Sequence, residues 1–185
     1  MNSSTERRKT LESFGRSPAL LASALRQFPR KMWLYKPSTE RWSIHEIILH
    51  LADSEASAYI LCRYFIAEPG IAPVEFDPAR WADSLGYFHQ STREALEIIR
   101  RLRRMTYQLL VTVPDAVWSQ TIVHSKAGEI CLEQWVELQE HHIPHHVDQM
   151  RENYLGWLER NPPRRSAAVT PYSNRGPQSF SMTTC

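Results

Sequence analysis

Long apolar runs are missing from this chain of 185 residues. No uninterrupted stretch approaches the ~18 apolar residues of a membrane-spanning helix, so no membrane span is expected. The opening MNSSTERRKTLESF has no apolar signal core, and no secretory leader is expected from it. Cysteine is sparse and odd in number: Cys62, Cys131 and Cys185 stand far apart, without a C-x-x-C pair. That argues against a zinc ribbon and against a redox dithiol. The thiols read as reduced side chains of a cytoplasmic protein, with Cys62 and Cys131 in core-like apolar surroundings. An excess of one charge is lacking too. The formal net charge of +2, mixed in sign along the chain, leaves no electrostatic footprint for nucleic acid. The basic run Arg100, Arg101, Arg103 and Arg104 reads as the solvated face of a helix.

What is present is helical periodicity. Leu11, Phe14, Leu20, Leu21 and Leu25 recur at helical spacing between Ser3 and about Phe28, and Ser17-Pro18 resembles the cap and first residue of a second helical piece. Ser43-Ile44-His45-Glu46 is a capping box. It opens a helix whose apolar stripe is Ile44, Ile47, Ile48, Leu51, Ala52 and Ala58, ended by Glu68-Pro69-Gly70. Residues 69–80 read as a long loop, with a short helical turn around Asp77 to Leu85. Ser91-Thr92-Arg93-Glu94 is a second capping box, opening a helix with Ala95, Ile98, Ile99, Leu102, Met105, Leu109 and Leu110 on its apolar side. A small hairpin is expected from Thr121-Ile122-Val123 and Glu129-Ile130-Cys131 around Lys126-Ala127-Gly128. The last long helix spans about Leu132 to Leu158. These elements predict an all-α fold, a four-helix up-and-down bundle with one long crossover. The domain is expected over residues 1–161, with an irregular tail over 162–185.

Four of the eight histidines fall in Glu140-His141-His142-Ile143-Pro144-His145-His146. Two pairs at i, i+4 are available, and a helical wheel separates them. At ~100° per residue, His142 and His146 lie within roughly 20° of Trp135 and face the core. His141 and His145 point towards the rim. Two inward imidazoles need partners, either a metal ion or hydrogen bonds within the bundle. His50, at the edge of the stripe on the second helix, completes a set of three from two helices. Three protein ligands with open positions suit a reactive metal centre.

Two segments resemble the DinB-like superfamily over about residues 15–158. Trp42-Ser43-Ile44-His45-Glu46-Ile47-Ile48-Leu49-His50-Leu51-Ala52-Asp53 is similar to the family's helix start, in which the histidine before Leu-x-Asp is a ligand; that is His50. His142-Ile143-Pro144-His145-His146-Val147-Asp148-Gln149-Met150 resembles the family's H-x-x-H-H-x-x-Q-[IM] segment, whose first and last histidines are ligands. The resemblance implies a bundle with a long crossover, often dimeric, carrying one divalent transition metal, with Ni or Zn foremost. It implies either metal-dependent hydrolysis or transfer of a low-molecular-weight thiol to an electrophile.

The expectation is thus a metal-dependent enzyme, a thiol-dependent S-transferase or hydrolase, acting on a small electrophilic molecule at His50, His142 and His146. A thiol cosubstrate and a homodimer belong to this expectation; nucleic-acid and membrane partners do not. The alternative is a non-catalytic metal-binding or stress-response bundle. No catalytic group is assigned. Asp53, one turn after His50, is the residue to examine, since it can orient an imidazole, accept a proton or form a surface ion pair. Glu55 and Arg63 read as solvated charges. Gln149 is placed to hydrogen-bond within the site, and Trp42, Tyr59 and Trp135 read as core or pocket wall.

Overall fold

The computed structural model describes residues 4–74, 76–124 and 128–162. Helix α1 (Ser4–Leu25) is continuous, so Ser17-Pro18 is not a second start. Pro18 lacks the N–H that would reach the Phe14 carbonyl. The Ser17 hydroxyl donates to that carbonyl instead, at 2.8 Å, and the helix runs through with Ser17 buried.

Helix α2 (Ile44–Ala67) starts as its capping box dictates. The Ser43 Oγ accepts from the Glu46 N–H at 3.2 Å, and the Glu46 carboxylate accepts from the Ser43 N–H at 2.8 Å. Burial would raise that carboxyl, but the Ser43 amide and the Lys36 ammonium hold it below the usual range. Short α3 (Pro78–Ser84) sits inside the crossover, capped by Asp77, which accepts from the N–H groups of Ala79 and Arg80. Helix α4 (Thr92–Leu110) shows the serine half of its expected box, Ser91 Oγ accepting from the Glu94 N–H. Strands β1 (Thr121–His124) and β2 (Gly128–Cys131) pair antiparallel with Ile122 opposite Ile130, both buried. Residues 125–127 of the expected turn lie outside the described residues. Helix α5 (Leu132–Arg160) contains Pro144. Cys131 caps α5 and is half-buried, not in the core. The expected tail lies outside the described residues from 163 onward, as does Cys185.

Residue pairs fix the helix directions. Arg7 meets Glu133 and Ser13 meets Glu140, so α1 and α5 run parallel. Asp53 meets Tyr87 before α4, and Glu55 meets Arg103, so α2 and α4 run parallel. The Asn153 amide donates to the Trp42 carbonyl and Phe65 packs on Trp135, so α2 and α5 are antiparallel. Helix α1 lies against α5 and α4, and α2 against α4 and α5. The order is up, down, down, up. Because α2 and α4 are parallel neighbours, residues 68–91 must carry the chain back along the bundle, and this is the long crossover. On the way, the Gly70 N–H and the Ile71 carbonyl bond to β1.

Two apolar clusters fill the bundle. One, around Ile44, Ile48, Leu51, Ile143 and Met150, lies where α2 begins. The other, around Phe14, Cys62, Phe65, Leu110 and Trp135, lies where it ends. Between them lies a buried ion pair, Glu55 with Arg103, 1% and 0% exposed. Neither is the solvated charge expected of it. The Arg103 guanidinium also donates to the Gln139 carbonyl at 3.0 Å and covers the Phe14 ring. Helix α4 therefore buries Ala95, Ile99, Arg103, Thr106 and Leu110, while Ile98 and Met105, expected inside, are 43% and 46% exposed. Among the described residues, no helix is long and apolar enough to cross a membrane.

Candidate metal centre

His50 lies two turns into α2, and His142 and His146 lie one turn apart on α5. Since the two helices run antiparallel and touch, these three side chains meet. One ring nitrogen from each lies within 4.8 Å of the others. The His146 and His142 Nε2 atoms are 3.2 Å apart, and the His50 ring centroid is 4.8 Å from that of His146 and 5.4 Å from that of His142. His141 and His145 are exposed; His141 pairs with Glu140 at 3.3 Å.

Burial sets the charge of the cluster. It pushes the His50 ring down to about 3, reinforced by His146. It pushes His142 down to about 3, with help from His146, His50 and Arg103. It pushes His146 down to about 4, against the hydrogen bond that the ring donates to Gln149. All three are neutral at pH 7, and each ring carries one nitrogen lone pair. The Gln149 Oε1 lies 2.8 Å from the His146 Nδ1. A carbonyl oxygen only accepts, so Nδ1 carries the proton and the Nε2 lone pair faces His142. Such an outer partner is how a ligating imidazole is usually oriented. The Nδ1 atoms of His50 and His142 are buried with no hydrogen-bond partner. Hydrogen bonding within the bundle thus leaves the cluster unsatisfied. Three neutral imidazoles around one point fit a divalent transition ion.

Two cavities flank the cluster. One, of about 190 Å³, is lined by His50 and His142 together with Ser54, Ser57, Phe76 and Gln139. Phe76 and Pro78 come from the crossover, and Phe76 leans on Trp81 with ring centroids 4.4 Å apart. The other, of about 550 Å³, is lined by Trp42, His145, His146, Gln149 and Asn153. Trp42 packs on His50, ring centroids 4.7 Å apart, as a wall residue should. Size alone does not point here: a roomier groove of about 710 Å³ lies between α1 and α4, away from the histidines. Chemistry, not volume, marks the centre.

Asp53 is not part of the cluster. Its carboxylate accepts from the Tyr87 hydroxyl, whose own acidity is suppressed by burial and by Asp53. Cys62 is fully buried, its thiol pushed up to about 12 by burial, and is chemically inert. Phe76 and Gln139 line the cavity at the cluster without being expected there from the sequence. Gln139 stands one turn before His142 on the same helix face, which was a usable signal. Its Oε1 is buried without a partner. Phe76 is in a loop and left no periodic trace.

The sequence profile of the DinB superfamily matches residues 13–150. An Oceanobacillus iheyensis protein provisionally named a metal-dependent hydrolase is 26% identical over 106 residues, 57% of this chain and 61% of that protein. YfiT of Bacillus subtilis, with the same provisional name, is 26% identical over 121 residues, 63% of this chain and 67% of its own length. The chain therefore spans only about two thirds of these curated relatives. The solved structure of YfiT, described as a probable metal-dependent hydrolase with an unusual four-helix bundle topology, superposes with a TM-score of 0.77 at 21% identity. It covers 87% of this chain and 90% of that one, a likeness of fold.

Proposed function

Since the chain belongs to the DinB superfamily, we propose that it is a metal-dependent enzyme in which His50, His142 and His146 hold one divalent ion. Its reaction is hydrolysis of a small electrophile or transfer of a low-molecular-weight thiol to one. The observation that carries this reading is the set of three neutral imidazoles whose ring nitrogens converge within 4.8 Å, two of them, His50 and His142, with a buried Nδ1 that has no hydrogen-bond partner. Imidazole donors suit Zn, Ni, Cu and Fe, and Ni or Zn is the ion we assign. When bound, the ion supplies Lewis acidity to an oxygen or sulfur donor in its open positions. A homodimer in the cytoplasm is the setting we assign.

The chain's own residues do the rest. Gln149 fixes the tautomer and tilt of His146. Trp42 packs against His50 and limits its motion. Ser54, Ser57 and Gln139 offer hydroxyl and amide groups to a substrate in the small cavity, and Phe76 and Leu61 offer it an apolar wall. The Ser54 Oγ lies 3.4 Å from the His50 Nε2 and lines the small cavity, where it helps to hold the His50 ring in place. Asp53 stands outside the histidine cluster and holds the Tyr87 hydroxyl.

Elemental analysis of untagged protein tests the reading. We expect about one equivalent of a transition metal in the wild type, consistent with a single three-ligand site. His50→Ala, His142→Ala and His146→Ala should each lose most of it, and His141→Ala should keep it. Equal loss in all four variants, or none in any, removes the assignment. With metal established, esters and thiol-plus-electrophile pairs are the substrates to screen.

A further inference from the structure

The groove between α1 and α4 is unconnected with the histidines, and its lining has a chemistry of its own. Its floor is apolar, with Leu21, Leu25 and Ile99 at its base. It is open because α1 presents small residues there: Gly15, Ala19 and Ala22. At Gly15 a Cβ would sit 2.9 Å from the Tyr107 ring, so Tyr107 closes one end. From Gly15 to Leu25 the trough runs about 15 Å along the helix axis. Its volume of about 710 Å³ lies in the usual range of small-molecule sites, ~300–1,000 Å³. The rim carries four arginines, Arg26, Arg30, Arg100 and Arg104, against one carboxylate, Glu97. That carboxylate is already engaged by Arg100 and Arg101. Arg30 lies over the Trp33 ring at 3.8 Å. Arg26 and Arg104 have no carboxylate partner among the described residues.

We propose that this groove binds a single-chain anionic amphiphile, an aliphatic carboxylate whose chain lies along Ala19, Ala22, Leu25 and Ile99 and whose head is met by Arg26 or Arg104. The apolar trough calls for a hydrocarbon; the unpaired guanidiniums call for an anion that can accept two hydrogen bonds. Other occupants fit less well. Residues 163–185 contain Arg164, Arg165 and Arg175 and no acidic residue, so that segment would add cations to a cationic rim. A second copy packed face to face would oppose arginine with arginine.

The test is calorimetric titration of the full chain with sodium dodecanoate below its micelle concentration, beside dodecanol and dodecyltrimethylammonium. Saturable 1:1 binding of dodecanoate is expected, at least about tenfold tighter than either comparator, the size of one lost charge-assisted contact. Arg26→Ala with Arg104→Ala should remove that preference, and Ala22→Phe, at an exposed position, should block binding while the melting curve stays as in the wild type. His142→Ala should bind dodecanoate as the wild type does, which separates this site from the metal centre whether or not the metal reading stands. Equal binding of all three amphiphiles, unchanged binding in the arginine variant, or loss in His142→Ala would overturn the proposal. Co-sedimentation with phosphatidylglycerol vesicles but no binding of free dodecanoate would overturn it as well, since the site would then read a membrane surface.

Discussion

Arg103 and Glu55 meet in the middle of the bundle with almost no water on either. Burial raises the Glu55 carboxyl, and the adjacent guanidinium works against that shift. Removing one partner leaves the other buried and uncompensated. We expect Arg103→Met to cost about 3–5 kcal/mol in urea unfolding, and the double change with Glu55→Leu to recover most of that loss. A single variant as stable as the wild type would contradict the burial. Gln149 is the second residue with a sharp consequence. Gln149→Ala frees His146 to rotate or change tautomer, and we expect metal affinity, measured by competition with a chelator, to fall about 10–100-fold. Unchanged affinity would show that packing alone orients the ring. These two residues also mark what was legible. The inward pair His142 and His146 stood out because a wheel anchored on Trp135 separates it from His141 and His145. Arg103 did not, because a charged residue inside a basic run is normally solvent-facing. Yet Ile99, Arg103, Thr106 and Leu110 share one helical stripe, and an arginine within such a stripe was the available clue.

Among the elements, those with local chemistry at their ends were the readable ones. The Ser43 box fixes where α2 begins, and therefore where His50 stands relative to α5. Ser43→Ala should cost about 1 kcal/mol of thermal stability, and more only if the Glu46 and Lys36 pairing collapses with it. A cost near zero would mean that the buried contacts of Ile44 and Ile47 set the start without help. Pro18 shows the opposite case. Proline after serine reads as a beginning, and only the Ser17 side chain, bonded to the Phe14 carbonyl, reveals why the helix continues. The face of α4 differs from the expected one, turned by about half a residue step, for a similar reason. Ile98, Leu102 and Met105 are apolar enough to claim the inside, but pairing with Glu55 turns Arg103 inward and rolls Ile98 and Met105 towards solvent.

At the scale of the molecule, the histidine cluster couples stability to acidity. The three rings are held near 3 or 4 when folded, against an ordinary 6.5. In the unfolded chain they bind protons first. Their contribution is therefore full above about pH 6.5 and is lost as pH falls towards the folded values, at about 1.4 kcal/mol per histidine per pH unit. Metal-free protein should melt at a progressively lower temperature between pH 7 and pH 4, and the triple alanine variant should show a flatter profile over that window. A wild-type profile as flat as the variant's would mean that the rings are solvated. Much of the whole was visible in the chain: a bundle needs four periodic segments, and a segment as long as residues 68–91 implies a return along its length. Which helices neighbour each other was not visible, since it depends on which stripes mesh.

That return segment has a further meaning. Phe76 and Pro78 border the small cavity at His50, yet they belong to a connection and not to a bundle helix. The part that would decide which molecule is accepted is thus separable from the part that would hold the ion. Loops can lengthen, shorten and exchange side chains without unpacking the helices they join. A descendant of this chain could change its diet by rewriting a dozen loop residues while inheriting its histidines untouched, and a protein engineer could do the same by grafting.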